Sequence, residues 1–444
     1  MSCGRKAPTG SDVVTGARQT PPDQLERDRA LQVGQSFIVQ APAGSGKTTL
    51  LVERYLHLLT QVAQPEEILA ITFTRAAAAE MKQRVLQELR KRTPLTATIR
   101  NKDAALNWRL KQNPQRMKIQ TIDSFATELA TQIPGSQSAE GMRIEEQPGP
   151  LYTQAAQNVL GRLFSDDPGR LFVGEFLSAL DNNASAGERV LGTMLAKRDQ
   201  WLDVTGLITS MALSDGAAIT QTLERAITEL RQEIMSTVTV ALSPHDNEMI
   251  QIIASETDRQ ANLEALLPLI LTQNGTIRKT IDRRQGEAFG EKSFRTQIVE
   301  WFDELRDRNV EELLQTCAML PKVGEDSATV VATGVTLALA AAELETLLQR
   351  RQTIDFTGML MRASQGLRDD DGPTDLALYW DYKIKHLLVD EFQDTSRSQY
   401  KFFCLLTGGW SVEEGHTFFA VGDPMQSIYR FRDADVSIFS QCWE

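Results

Sequence analysis

Cysteine is scarce in this chain. Its 444 residues hold four, Cys3, Cys317, Cys404 and Cys442, which lie far apart and form no CxxC pair. A disulfide framework, a zinc site and an iron–sulfur cluster are therefore unsupported, and a reduced cytoplasmic protein is expected. The N-terminus, MSCGRKAPTGSDVVTGARQTPP, lacks the apolar segment of a secretory signal. No run reads as long and apolar enough to cross a bilayer, so no membrane partner is expected. Internal repeats and low-complexity tracts are missing as well. So is an excess of positive charge: the net charge is −12, which excludes a wholly basic nucleic-acid coat. One stretch reverses that balance. Between Arg75 and Lys118 twelve lysines and arginines face only Glu80, Glu88 and Asp103. Taken alone, such a run is most simply a solvated helix face.

What is present is an alternation of strands and helices in a chain too long for one ordinary core. Residues 1–21, rich in Gly, Ser, Thr and Pro, read as a flexible arm. SFIVQA (Ser36–Ala41) is a short apolar strand, followed by the amphipathic helix TTLLVERYLHLLTQV. ILAITFT (Ile68–Thr74) and KIQTI (Lys118–Ile122) are further strands, with the helix RAAAAEMKQRVLQELRK between them. Short apolar runs alternating with helices predict a parallel sheet covered on both faces. From 133 to 350 helical periodicity dominates, and the alternation returns with HLLVDE (His386–Glu391) and TFFAVGD (Thr417–Asp423). The expected fold is thus α/β, with residues 22–132 and 351–444 forming one domain that a large, mostly helical insertion interrupts.

Chemistry enters at APAGSGKTTL (Ala41–Leu50), which follows a strand and opens a helix, the context a P-loop requires. Over Ala41, Pro42, Ala43, Gly44, Ser45, Gly46, Lys47 and Thr48, glycines let backbone N–H groups close around phosphate oxygens, and the helix N-terminus favours negative charge. Lys47 can reach the β- and γ-phosphates, and the Thr48 hydroxyl suits Mg²⁺. Ala41 stands at the first position of the usual GxxxxGK[ST], while GSGKT is intact. HLLVDE ends in two adjacent carboxylates at the edge of the sheet where α/β ligands bind. Asp390 would hold Mg²⁺, and Glu391 would polarise the water that attacks the γ-phosphate. These two sites specify ATP or GTP with magnesium, which kinases, transporters, switches and motors all share.

The remaining motifs narrow the choice. QAPAGSGKTTLL, ITFTRAAAAEMKQR (Ile71–Arg84), IQTIDSF (Ile119–Phe125), IDFTGMLMRA (Ile354–Ala363), VDEFQDTSRSQ (Val389–Gln399) and VGDPMQSIYRFR (Val421–Arg432) occur in one order. That ordered set resembles the UvrD/Rep family of superfamily 1 DNA helicases, in its RecB/AddA-like branch. The resemblance covers residues 23–125 and 354–439. It implies a RecA-like P-loop NTPase sheet and ATP as the nucleotide, with Gln426 on the γ-phosphate. It also implies strand contacts around Phe73 and Arg75, contacts to DNA backbone or bases through Thr121, Asp123 and Ser124, and base stacking on Tyr429 and Phe431 with Arg432 beside them. Aromatic stacking on bases ignores sequence, as a translocating motor needs. The basic stretch from Arg75 to Lys118 then becomes a phosphate-tracking surface.

Two positions depart from the family pattern. Arg27 aligns with a glutamine that reads adenine, and Asp123 replaces a common histidine. Family motors also carry a second RecA-like domain, which nothing after Phe439 supplies. The chain is therefore expected to be the N-terminal part of a 3′-to-5′ helicase or helicase–nuclease subunit in recombination or double-strand break repair. Its expected partners are single-stranded DNA, DNA ends and a helicase–nuclease subunit. The alternative is a non-motor, nucleotide-gated DNA-binding subunit. The third reading, a P-loop kinase or switch, explains neither the ordered motifs nor the basic stretch.

Overall fold

The computed structural model describes residues 23–423, except 43, 136–138, 203–204, 206–224, 226–227, 230–231, 233–241, 257–262, 273–274, 282–291, 309, 312–313, 316–317, 319–326, 370–371 and 412. The arm expected over residues 1–21 lies outside these, as do Ala43, Gln426, Tyr429, Phe431 and Arg432. The described chain divides into two compact units, one of residues 1–147 and 352–444, the other Pro148–Arg351.

The first unit is built on five strands: β1 (Phe37–Gln40), β2 (Ile68–Thr72), β3 (Lys118–Thr121), β4 (His386–Val389) and β5 (Thr417–Gly422). All pair in parallel, in the order β1-β5-β4-β2-β3. All five residues of β2 and all four of β4 are buried, as a parallel strand covered on both faces must be. Period-two alternation divides them between two cores. Leu69, Ile71, Leu387 and Val389 face one, with Phe125 and Phe402. Ile68, Ala70 and Leu388 face the other, with Leu58 and Val85. The second core is closed by α2 (Lys47–Gln61), α3 (Arg75–Glu88) and α4 (Pro94–Ala105), after a short α1 (Gln24–Ala30). The first is closed by α5 (Ile122–Ala130), α6 (Phe356–Leu367) and α7 (Arg397–Thr407). The α/β fold with a parallel sheet is the one the sequence predicts.

Two polar residues tie this unit together. Arg54 of α2 is fully buried and donates to the carbonyls of Ala30 (2.5 Å), Gln32 (3.0 Å) and Gln35 (2.5 Å), while its guanidinium lies 4.5 Å from the centre of the Phe419 ring. Burial pulls its pKa down to about 10, and the carbonyls and ring face stand in for a carboxylate. Asp355 caps α6, its Oδ1 accepting from the Gly358 N–H at 2.9 Å, so the acidic residue of IDFTGML starts a helix. Ile133 and Ala139, assigned from sequence to the insertion, pack in the core with Phe125 and Phe402. The next residues reach a two-residue parallel ladder, Arg143–Ile144 with Thr353–Ile354.

The second unit is helical. Helices Gly149–Gly161, Arg170–Ser178, Ala184–Ala196 and Ser327–Arg351 bury Ala155, Val159, Val173, Leu191, Ala340 and Leu344 together. Ala155 and Ala340 are small enough to let backbones approach. A separate core gathers Ile253, Leu266, Trp301, Phe302 and Leu314. One expectation is corrected here. Ala328–Arg351 is long and apolar enough, by length and composition, to span a membrane, with a mean hydropathy of 1.5 over its best window. Its buried face, from Leu337 to Leu348, packs into the first of these two cores, so it reads as a core helix. The sequence reading missed it because Glu343 and Glu345 interrupt the run without exposing that face.

Candidate nucleotide and nucleic-acid site

Because the five strands are parallel, their carboxyl ends lie at one edge, and each continues directly into a motif. After β1, the Ala41 N–H donates to the Gly422 carbonyl at 3.0 Å and extends the ladder by one residue. The loop then turns through Gly44 (φ 74°) and Gly46 (φ 85°). At both positions a side chain would be strained, and Gly46 serves as the N-cap of α2. The Ser45 Oγ is buried with no partner among the described residues, an orphaned donor of the kind a phosphate oxygen satisfies. Lys47 and Thr48 occupy the first turn of α2, whose positive end adds to the pull on anions.

Arg27 lies against this loop. Its guanidinium donates to the Ser45 carbonyl and, at 2.9 Å, to Asp23 Oδ2. A cavity of about 520 Å³ opens here, lined by Asp23, Glu26, Arg27, Pro42, Ser45 and Lys47 among others. The residue that departs from the adenine-reading pattern is thus a contact of the phosphate loop itself.

From β4 comes the second half. The Asp390 N–H donates to Ile71 O at 2.9 Å, placing the carboxylate at the strand end. Burial, reinforced by the charge of Glu391, pushes its pKa up to about 6; the Glu391 N–H and Lys47 only partly oppose this. A nearby cation would reverse that shift. Glu391 follows in the left-handed region, φ 52° and ψ 45°, which is strained for a residue with a side chain. That conformation accompanies a 3.2 Å ion pair between Glu391 Oε2 and Lys47 Nζ. The same Oε2 accepts from Gln393 Nε2 at 2.9 Å, and Gln393 Oε1 accepts from the Asp423 N–H at 2.9 Å. Gln393 therefore joins the carboxylate pair to the end of β5, where VGDPMQSIYRFR begins. No role was assigned to Gln393 from sequence; its signal was a buried amide in the turn right after the carboxylate pair.

The donor set fits Mg²⁺ carried by a nucleotide, which binds through one or two carboxylates, phosphates and retained water. Thr48 and Asp390 are the residues present for it. Among the described residues no group of three or more His, Cys, Asp or Glu could hold a metal unaided.

At the ends of β2 and β3, Phe73 is half-buried and Arg75 is 72% exposed, 3.8 Å from Glu146. Thr74 caps α3 by accepting from the Ala77 N–H at 3.1 Å. Thr121 is buried and caps α5, its Oγ1 accepting from the Ser124 N–H at 3.2 Å and lying 2.9 Å from Ser124 Oγ. Asp123 and Ser124 are half-exposed in the first turn. The edge thus brings together Lys47, Asp390 and Glu391, with Phe73 after β2 and Arg75, Asp123 and Ser124 in the first turns of α3 and α5.

The basic stretch does not form one face. It follows α3 away from this edge, and much of it is neutralised. Arg84 pairs with Glu80 (2.6 Å), Lys91 with Glu88 (2.5 Å), Arg116 with Glu66 (2.7 Å) and Lys118 with Glu128 (2.6 Å). Glu66 and Glu128 come from outside the stretch, which is why its linear charge overstates its surface charge.

A glycine-bracketed phosphate loop facing an Asp-Glu pair across the carboxyl edge of a parallel sheet belongs to the RecA-like P-loop NTPase class. The model of the UvrD/REP helicase N-terminal domain matches residues 23–444, and the chain belongs to that family, which implies ATP binding. It is 26% identical to an ATP-dependent helicase/nuclease subunit of Lactobacillus helveticus, over 94% of this chain and 37% of that protein. Proteins of the same description from Bacillus pumilus and Staphylococcus aureus are also 26% identical, over 91% and 93% of this chain and 35% of each relative. The chain spans about a third of the length of these relatives.

Proposed function

We propose that this chain is the ATP-hydrolysing part of a 3′-to-5′ single-stranded DNA translocase and helicase, acting in the cytoplasm on DNA ends during recombination and double-strand break repair. The observation that carries the reading is the 3.2 Å contact of Lys47 with Glu391. It brings the phosphate loop and the Asp-Glu strand end, far apart in sequence, to one point on the sheet.

ATP would lie with its phosphates in the 41–48 loop and its base and sugar toward the cavity beside Arg27. Its γ-phosphate competes with Glu391 for the Lys47 ammonium. Binding therefore releases the carboxylate, which orients the attacking water and accepts its proton as the γ-phosphoryl group transfers. Mg²⁺, held by Thr48 and Asp390, would offset charge on the phosphate oxygens. Gln393 links Glu391 to the Asp423 N–H, so a shift of the carboxylate reaches the segment carrying Gln426, Tyr429, Phe431 and Arg432, the proposed γ-phosphate and base contacts. Phe73, Arg75, Thr121, Asp123 and Ser124 would line the DNA strand where β2 and β3 pass into α3 and α5. Because Thr121 is occupied as a helix cap, its part there is to position Ser124. The relatives' description supports a helicase–nuclease assembly with a second, partner protein.

Measuring ATP hydrolysis with and without single-stranded DNA tests the reading, on this chain and on the longer protein containing it. Stimulation by the strand is expected in the longer protein and lost in Lys47→Ala. A longer protein whose hydrolysis ignores DNA would sink the motor assignment.

A further inference from the structure

Four cations of the basic stretch that keep no carboxylate partner, Arg90, Arg92, Arg100 and Lys111, gather toward the opposite edge of the sheet. There α4 and the segment after it are anchored where β2 begins. Lys102 Nζ donates to Thr60 O at 2.8 Å, Trp108 Nε1 to Ala63 O at 3.1 Å, and Arg116 is paired with Glu66. From Arg75 the fourteen residues of α3 span about 20 Å, so this edge is far from the phosphate loop. Between the end of α3 and α4 lies a cavity of about 580 Å³, lined by Arg90, Arg92, Arg100 and Lys111 with Leu89, Thr93, Pro94 and Ala97. No carboxylate lines it. Arg90, Arg92 and Lys111 are exposed and have no acidic partner among the described residues.

Arg100 is held in place. Its Nη1 donates to the carbonyls of Leu89 (3.1 Å) and Lys91 (2.8 Å) and to Thr96 Oγ1 (3.2 Å), and its Nε and Nη2 have no further partner among the described residues. Thr93 caps α4, so the positive end of a twelve-residue helix adjoins the four cations. Four like charges gathered without a counter-charge repel one another, an arrangement that an anionic ligand would relieve.

We propose that this cavity is a second nucleic-acid site, which grips the phosphate backbone of duplex DNA. Guanidinium forks match phosphate oxygens. The lining holds no aromatic ring, whereas single-strand sites stack bases on such rings. A duplex keeps its base faces stacked inside and presents two regular rows of phosphates outward, the chemistry this lining can meet. The inference rests on DNA being a ligand of the protein, as proposed above.

The test uses the full chain, a blunt DNA duplex and a single-stranded oligonucleotide, with binding titrated against salt. Arg92→Gln combined with Lys111→Gln removes two exposed charges and leaves Arg100 in place; an unchanged melting temperature checks the fold. The expected result is weaker duplex binding, with the slope of log affinity against log salt reduced by about two, while single-strand binding is kept. An unchanged duplex slope overturns the site, as does equal loss on both probes. Failure of the unsubstituted chain to bind either DNA would overturn the function proposed above and this inference with it. Normal single-strand binding with an unaltered duplex slope overturns the cavity alone.

Discussion

Two aspartates, Asp246 fully buried in the helical unit and Asp390 half-buried at the sheet edge, meet opposite fates. Burial alone would raise the pKa of Asp246, but Arg308 donates to both of its oxygens (2.6 and 2.7 Å), with Trp301 Nε1 at 2.7 Å and Ser243 beside it. Together they hold the carboxyl well below the usual carboxylate range. At the sheet edge Asp390 is also withdrawn from water, yet its immediate neighbour is another carboxylate, and its pKa rises to about 6. One carboxylate is satisfied by its own unit. The other is kept at a disadvantage, next to a residue in a strained conformation, where a nucleotide-borne cation would relieve it. The contrast separates a structural ion pair from a site held ready for a ligand.

The sharpest way to break the comparison is to remove function without touching stability. Glu391→Gln is expected to keep nucleotide binding while lowering turnover in the longer protein by about 10²–10⁴-fold, the range of a positioned base. Lys47→Ala should remove nucleotide binding altogether. Isothermal titration beside a steady-state ATPase assay distinguishes them; equal loss of binding in both variants would mean that Glu391 serves the phosphate loop and not the water.

Asp246→Ala should act only on stability. It leaves the Arg308 guanidinium, about a third exposed, without its partner and the Trp301 N–H without its acceptor. A loss of about 2–4 kcal/mol in urea unfolding is expected, toward the low end for a broken buried pair because Arg308 still reaches water. A loss below about 1 kcal/mol would show that the cluster is not what holds this core.

Asp390→Asn should do the reverse and stabilise the protein. A carboxyl whose pKa is raised from 3.8 to about 6 by folding keeps its proton longer in the folded state than in the unfolded. Stability therefore falls as pH rises from about 4 through 6, and the penalty is complete above that. Asparagine removes the ionisation, so the variant should gain about 1–2 kcal/mol at neutral pH, nothing near pH 4, and lose hydrolysis. Urea midpoints across this window measure it. A variant no more stable at pH 7 than at pH 4, relative to the unsubstituted protein, would mean that Asp390 is not under electrostatic strain.

Much of this was legible in the sequence because the signals are local. The mostly apolar ILAIT and HLLV forecast buried parallel strands, and GSGKT after a strand forecast the turn that Gly44 and Gly46 make. Long-range pairings were not. Glu66 and Glu128 neutralise Arg116 and Lys118 from positions outside the basic stretch, so charge counted along the chain could not tell a paired cation from an available one. Gln393 reaches Asp423 across thirty residues, and only the adjacency of β4 and β5 makes that bond. The resemblance assigns Thr121 to DNA contact, and the sequence does not show that its hydroxyl also caps α5.

The smallest expected effect concerns the backbone of Glu391. Glu391→Gln and Glu391→Gly both delete the carboxylate and its ion pair with Lys47, so their difference isolates the left-handed conformation. Glycine adopts that region freely, whereas a residue with a Cβ is strained there by about 1 kcal/mol or more. Part of the gain is offset by the greater freedom of glycine in the unfolded chain. The glycine variant should therefore be more stable than the glutamine variant by about 0.5–1 kcal/mol in urea unfolding, with both inactive. Equal stabilities would mean that the turn after β4 relaxes without the carboxylate, and that the strain belongs to the Lys47 contact, not to the fold.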